Sequence, residues 1–261
     1  MTEPKYGVAT CSIIPVRKEP DERSEMTSQV LFGELFLIKE QSIKWSKVTL
    51  ADDNYYGWID NKMFTVIDTD TFNMLYQNHK TILKSSHTVY TPNDQKMFLV
   101  QGSSVPFELS EFYFTFNDKF YRLDKPINVT DKDLTGASIV KTSLEYINAP
   151  YLWGGKTKYG IDCSGLVQMI YKQHGIFMPR DTSKQVDIGK TISFVESAKH
   201  GDIAFFDNEE GNIVHVGILL NNKSIIHASG CVRIDSFDHQ GIFNKERDTY
   251  THKLRIIKRL F

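Results

Sequence analysis

Three side chains in this chain of 261 residues could together carry out acyl transfer: the thiol of Cys163 and the imidazoles of His215 and His227. Cys163 comes after a glycine-containing loop at residues 154–160. It opens a segment in which Leu166, Val167, Ile170 and Tyr171 recur at the spacing of one buried helical face. Asp162 stands where an N-cap belongs. A cysteine in a first helical turn meets unpaired backbone N–H groups and the positive end of the helix dipole, and both favour thiolate over thiol. A lone cysteine is usually only a small buried hydrophobe. The downstream residues change that weighting. Residues 212–220 and 224–230 read as two short buried strands, each with an imidazole in its middle. One histidine in an apolar strand is more often a packed core residue. Two on successive strands, after a helix-capping cysteine, suggest nucleophile, base and orienter.

The elements that must position these residues extend in both directions. Val140, Leu144 and Ile147 predict a helix over residues 134–147, which opens the domain carrying the cysteine. Residues 126–130 read as a short linker before it. From residue 6 to residue 67 the chain alternates apolar and polar residues in short pieces, including 6–9, 13–16, 29–39, 45–48 and 55–59. Asp, Asn, Pro and Gly punctuate these pieces, which predicts a small barrel of short strands. Residues 68–125 repeat this texture and predict a second, more divergent barrel, with a turn at residues 102–106. The expected domains are 1–67, 68–130 and 131–261, in the order barrel, barrel, catalytic domain.

Composition excludes several classes. Lys+Arg 31 against Asp+Glu 32 leaves a net charge of -1, with no basic block, so nucleic acid is not an expected partner. A hydrophobic fraction of 41% suffices for real cores. Cys11, Cys163 and Cys231 are an odd number at wide spacings, which is no disulfide framework and fits a reducing compartment. The N-terminus lacks a charged start followed by an apolar core, and no run approaches a membrane span. A cytoplasmic location is expected, or export if a signal has been removed. Residues 154–157, Gly-Gly-Lys-Thr, look like a phosphate loop, but the fuller pattern needs a glycine where Pro150 stands. Cys163, His215 and His227 lack the short spacings of a zinc site and an obvious fourth ligand. No metal and no cofactor are expected.

The order Tyr-x-Trp-Gly-Gly (151–155), Asp-Cys-Ser-Gly-Leu-Val (162–167), Pro-Arg-Asp-Thr-Ser (179–183), Gly-Asp-Ile-Ala-Phe-Phe (201–206), His-Val-Gly-Ile (215–218) and Ile-His-Ala-Ser (226–229) resembles the NlpC-type branch of papain-like cysteine peptidases, which cut bacterial cell-wall peptides. Gly33-Glu34, Trp45 and Gly57-Trp58-Ile59 resemble a bacterial SH3-like domain. The resemblance implies an α+β fold: a papain-like peptidase domain preceded by two small all-β SH3-like barrels. It implies Cys163 as nucleophile, His215 as general base and His227 as the third polar residue. The expected chemistry is attack by a Cys163 thiolate paired with a His215 imidazolium, with His227 on the far ring nitrogen. The Cys163 N–H and the Tyr151 hydroxyl would bind the oxyanion.

Proteins of this type with two such barrels resemble γ-D-glutamyl-L-diamino acid endopeptidases, which take peptidoglycan stem peptides or muropeptides with a free N-terminal L-Ala and release L-Ala-γ-D-Glu. The resemblance then places Glu34, Tyr55 and Asp181 at the amine, and Trp153, Asp162, Ser164 and Thr182 at the D-Glu. An ammonium between carboxylates and an aromatic face gains charge-assisted hydrogen bonds and a cation–π contact. A chain working as a monomer in murein peptide recycling or wall turnover is the expectation. The alternatives are a wall-binding module that does not cut, and an amidase or acyltransferase using the same Cys-His-His set.

Overall fold

Alternation of apolar and polar residues builds the first half of the chain from strands. The computed structural model describes residues 4–77, 81–105, 110, 112–116, 119–127 and 134–261. Pro106 of the expected turn and residues 128–130 of the expected linker lie outside the described residues. The chain divides into two units, Met1–Asp131 and Lys132–Phe261. In the first, β1 (Lys5–Ala9), β2 (Ile13–Arg17), β3 (Met26–Leu31), β4 (Leu35–Gln41), β5 (Trp45–Leu50), β6 (Tyr56–Asp60) and β7 (Phe64–Ile67) form one antiparallel sheet. Their order is β3-β2-β6-β5-β4-β1-β7. Ile14, Val16, Val30, Phe36, Val48 and Ile59 fill its core.

Residues 29–39, expected as one strand, are two. Gly33 has φ +78°, a left-handed backbone that a side chain would strain, and the chain turns there. Glu34, just after it, is buried and accepts the Leu31 N–H at 2.9 Å on its own carboxylate. A helix that alternation hides comes after the first sheet: α1 (Thr69–Gln77), whose first turn is capped where the Asp68 carboxylate accepts the Thr71 N–H at 2.7 Å.

Beyond it, β8 (Thr81–Ile82), β9 (His87–Tyr90), β10 (Lys96–Leu99), β11 (Ser104–Val105), β12 (Tyr113–Phe116) and β13 (Lys119–Leu123) make a four-stranded sheet, β10-β9-β13-β12, and a β11-β8 pair. The two β regions of this unit share cores. Phe32, in the β3–β4 turn, packs with Leu83, Val89, Leu99 and Phe114. Val8, Leu35 and Ile67 pack with Leu75 and Phe116.

The second unit begins with α2 (Gly136–Leu144), which stops short of the expected Ile147. Thr135 and Ser138 close a reciprocal capping box at its start. β14 (Lys156–Thr157) and β15 (Gly160–Ile161) turn the glycine loop into a small hairpin that delivers the chain to α3 (Cys163–Gln173). Every residue of α3 is buried, its polar face as well as the apolar one read from the sequence. Hydrogen bonds offset part of the cost of that burial: the Gln168 amide donates to the Met178 carbonyl at 2.9 Å and the Gln173 amide to the Tyr146 hydroxyl at 3.1 Å.

After α4 (Thr182–Gln185) come β16 (Lys190–Ile192), β17 (Ile203–Asp207), β18 (Ile213–Asn221), β19 (Ser224–Ser229), β20 (Cys231–Phe237), β21 (Gly241–Asn244) and β22 (Thr249–Arg259). They form an antiparallel sheet in the order β16-β22-β17-β18-β19-β20-β21. β22 pairs with β21 through its first half and with β17 through its second, so the sheet curls and closes on itself. The helix carrying Cys163 packs on β18 and β19, the strands carrying the two imidazoles. Among the described residues, no helix is long and apolar enough to cross a membrane.

Candidate active site

Cys163 is the first residue of α3, so its own N–H has no partner inside the helix. Asp162 is the N-cap: one carboxylate oxygen accepts the Gly165 N–H at 2.7 Å and the other the Gly154 N–H at 2.8 Å. Arg180 clamps the same carboxylate with both terminal nitrogens and also donates to the Ser164 hydroxyl at 2.7 Å. The cysteine is therefore fixed by an ion pair that is itself buried, with Asp162 4% and Arg180 3% exposed. The backbone N–H groups of Val216, on β18, and of Ser164 lie near enough to the sulfur to pull its thiol down.

His215, the residue before Val216, lies opposite Phe206 in the β17–β18 register. Its Nε2 is 2.9 Å from Nδ1 of His227. Strand pairing explains why the rings meet. Gly217 lies directly opposite His227, and a Cβ at residue 217 would come within 2.9 Å of the His227 Cβ. The missing side chain leaves His227 free to reach diagonally to His215. Two residues not anticipated from sequence complete the cluster. Asp235, on β20, lies 3.0 Å from His227 Nε2, and His252, on β22, stacks on His215 with ring centroids 4.1 Å apart.

Residues 148–250 match the NlpC/P60 family, and residues 16–63 match the bacterial dipeptidyl-peptidase SH3 domain. A γ-D-glutamyl-L-lysine dipeptidyl-peptidase from Bacillus subtilis is 30% identical over 216 residues, covering 77% of this chain and 71% of that protein. The chain belongs to the NlpC/P60 family. A second γ-D-glutamyl-L-lysine dipeptidyl-peptidase, from Bacillus cereus, is 26% identical over 78% of this chain and 68% of its own length. The crystal structure of an NlpC/P60 family protein from Bacillus cereus superposes with a TM-score of 0.80 at 17% identity, over 97% of this chain and 99% of that one. The fold is thus that of an NlpC/P60 domain preceded by an SH3-like, mostly β region, and the protein is a cysteine peptidase.

The electrostatics of this NlpC/P60 site correct one expectation. Burial, reinforced by the Asp162 carboxylate, pushes the Cys163 thiol up to about 11, against the opposing pull of the Val216 and Ser164 N–H groups and Arg180. Burial, with His252 and His227 beside it, holds His215 well below the ordinary histidine value. Both shifts favour a resting thiol and a neutral imidazole over the expected thiolate and imidazolium. The N-cap that fixes the helix also brings a carboxylate to the spot where the sulfur's charge would form. Tyr151, 37% exposed, feels the same charges. Burial first, then Cys163 and Asp162, push its phenol up to about 12, so it remains a proton donor.

The other sequence candidates are scattered in role. Ser164 is buried and held between Asp162 and Arg180. The Asp162 carboxylate already accepts from five donors, enough to fill its lone pairs, so any substrate contact there would fall to its backbone. Trp153 is 60% exposed on the loop before Cys163, available as a wall. Asp181 is the N-cap residue of α4 without a side-chain cap bond, and Thr182 is the first residue of that helix; both are half-buried. Glu34 and Tyr55 belong to the N-terminal unit: Glu34 is buried at the Gly33 turn, and Tyr55 packs on the first core and stacks on Tyr56. His215, His227 and His252 each place a ring nitrogen within 4.8 Å of the others, a geometry that could hold a metal ion. The facing nitrogens of His215 and His227 are already joined to each other, so a metal would displace that bond.

Proposed function

We propose that this peptidase hydrolyses the γ-D-glutamyl to L-diamino acid bond of peptidoglycan stem peptides with a free N-terminal L-Ala, releasing L-Ala-γ-D-Glu. The observation that carries the reading is the imidazole pair joined at 2.9 Å on β18 and β19, the two strands against which the Cys163 helix packs. The names of the two dipeptidyl-peptidase relatives support the substrate class. The chemistry belongs to residues 131–261, with 1–67 and 68–130 as the β-rich segments before it.

In this reading Cys163 is the nucleophile and His215 the general base. As sulfur attacks the scissile carbonyl, the thiol proton passes to His215, and the oxyanion that forms is met by the Cys163 N–H and the Tyr151 hydroxyl. His215 then gives that proton to the leaving amine as the C–N bond breaks. Water, deprotonated by His215, hydrolyses the thioester. Trp153 and Thr182 flank the γ-D-Glu, and Asp181 offers a carboxylate of its own to a cationic group. Stems still attached to glycan have their Ala amine blocked, so the proposed substrates are released peptides. That supports a cytoplasmic recycling role.

The test is mass spectrometry of products from L-Ala-γ-D-Glu-L-Lys and its diaminopimelate counterpart, each free and N-acetylated. Release of L-Ala-γ-D-Glu from the free peptides only, and none with Cys163→Ala, is expected. Equal cleavage of acetylated peptides would refute the amine requirement, and turnover by Cys163→Ala would refute the nucleophile.

A further inference from the structure

We propose that Asp235 is a positioning residue: acting through His227, it sets the tautomers of both histidines so that the bare nitrogen of His215 is Nδ1, the one not engaged with His227. The proposal rests on the reading of Cys163 and His215 as nucleophile and base. Asp235 sits on β20 two residues beyond Arg233, which pairs directly across from His227, so strand register puts the carboxylate on the face that His227 occupies. It is 8% exposed, and its Oδ2 lies 3.0 Å from His227 Nε2.

Arg233 keeps it anionic in place. Nη2 donates to Oδ1 at 2.9 Å, Nε lies 2.8 Å from Oδ2, and Glu246 braces the guanidinium from outside at 3.5 Å. Burial alone would raise the pKa of Asp235, but the hydrogen bonds from His227 and Arg233 outweigh it and hold the group below the usual carboxylate range. An ionised carboxylate can only accept.

The consequence propagates ring by ring. His227 must carry its proton on Nε2, facing Asp235. A neutral imidazole has one N–H, so His227 Nδ1 bears a lone pair and accepts. The group 2.9 Å from that lone pair is His215 Nε2, which must then be the N–H. His215 Nδ1 is left bare, able to take the Cys163 proton as the S–H bond breaks and the S–C bond forms, and to hand it to the amine nitrogen as the C–N bond breaks. Two histidines facing each other have no such preference by themselves, since either can donate. In the reverse sense His215 would turn an N–H toward the thiol and could not act as a base. The carboxylate is the asymmetric end of the chain, and it takes no proton at any step.

The test is Asp235→Asn, an isostere whose amide can present an N–H to His227 and reverse the chain. Reversing a tautomer in a Ser-His-Asp hydrolase costs on the order of 10⁴ in kcat, which bounds the effect, and a fall of roughly a hundredfold or more with KM nearly unchanged is expected. Alkylation of Cys163 by iodoacetamide at neutral pH should slow in parallel; it needs no peptide, so it separates failure of this proposal from failure of the substrate assignment. Asp235→Glu, which keeps an acceptor, should recover most of the rate. Long-range ¹H–¹⁵N spectra of the wild-type protein should show both His215 and His227 protonated on Nε2, and on Nδ1 in Asp235→Asn. A wild-type His215 protonated on Nδ1, or an Asp235→Asn enzyme with the wild-type alkylation rate and kcat, would overturn the proposal. The wild-type spectrum decides it even if the variant does not fold.

Discussion

Removing the cation at the base of the nucleophile helix should unmask a buried charge. Arg180→Met keeps the length and apolar stem of the side chain but deletes its bonds to Asp162 and Ser164. The carboxylate stays where it is, with Asp162 4% exposed and only the N–H groups of Gly154 and Gly165 and the Ser164 hydroxyl as donors. Breaking a buried ion pair by deleting one partner costs about 3–5 kcal/mol, and three surviving donors place this site near the low end. A loss of about 3 kcal/mol lowers Tm by roughly 10 °C for a unit of this size. Near-UV circular dichroism of the C-terminal unit's melting transition measures it.

The same substitution withdraws one of the influences that pull the Cys163 thiol down, so alkylation at fixed pH should slow as well. The double variant Asp162→Asn, Arg180→Met removes the stranded charge and should regain part of the loss. A single variant that melts within about 1 kcal/mol of wild type would show that Arg180 is not what balances Asp162.

Four further outcomes are expected. Tyr151→Phe should lower kcat about 10²-fold with little change in KM, the scale of one oxyanion donor, and unchanged steady-state kinetics would remove Tyr151 from the chemistry. Because burial holds His215 below 6.5, and the base must be neutral, kcat/KM should stay level as pH falls to 6.5 and decline only below it; a limb centred above 6.5 would contradict the electrostatics described. His87, His215 and His252 are all lowered chiefly by burial, His252 to about 4. The unfolded chain therefore binds more protons below 6.5, and urea midpoints should be highest above 6.5 and fall as pH drops through the folded-state values. Gly217→Ala should destabilise by about 1–3 kcal/mol through overpacking, and should impair turnover out of proportion because the new methyl presses on His227; equal losses would argue that His227 has room to give.

What the sequence discloses depends on how local each signal is. Cys163 and its helix are readable because capping residue, glycine loop and apolar spacing are neighbours in the chain, and His215 and His227 because each interrupts an apolar strand. Asp235 and His252 are not. On β20 and β22 polar and apolar residues alternate, so an acid and an imidazole there read as solvent-facing; only closure of the sheet brings them to the rings of His215 and His227. Arg180 reads as a surface partner, yet it is buried against a residue 18 positions earlier. The helix α1 does carry a signal, with Phe72, Leu75 and Tyr76 at helical spacing after Asp68. It is masked by the strand-like texture on either side. The thiol's state escapes a sequence reading because the helix dipole is visible there and the depth of burial is not.

His215, the proposed base, sits on β18, which is bonded along both edges to β17 and β19 in the middle of the closed sheet. Such strands open only when a whole cooperative unit opens, so their amides exchange with deuterium at the rate of global unfolding, while frayed ends and loops exchange sooner. Heat should therefore silence this enzyme abruptly. Residual activity in a heated sample would count the molecules still intact, with no dim intermediate between working and unravelled.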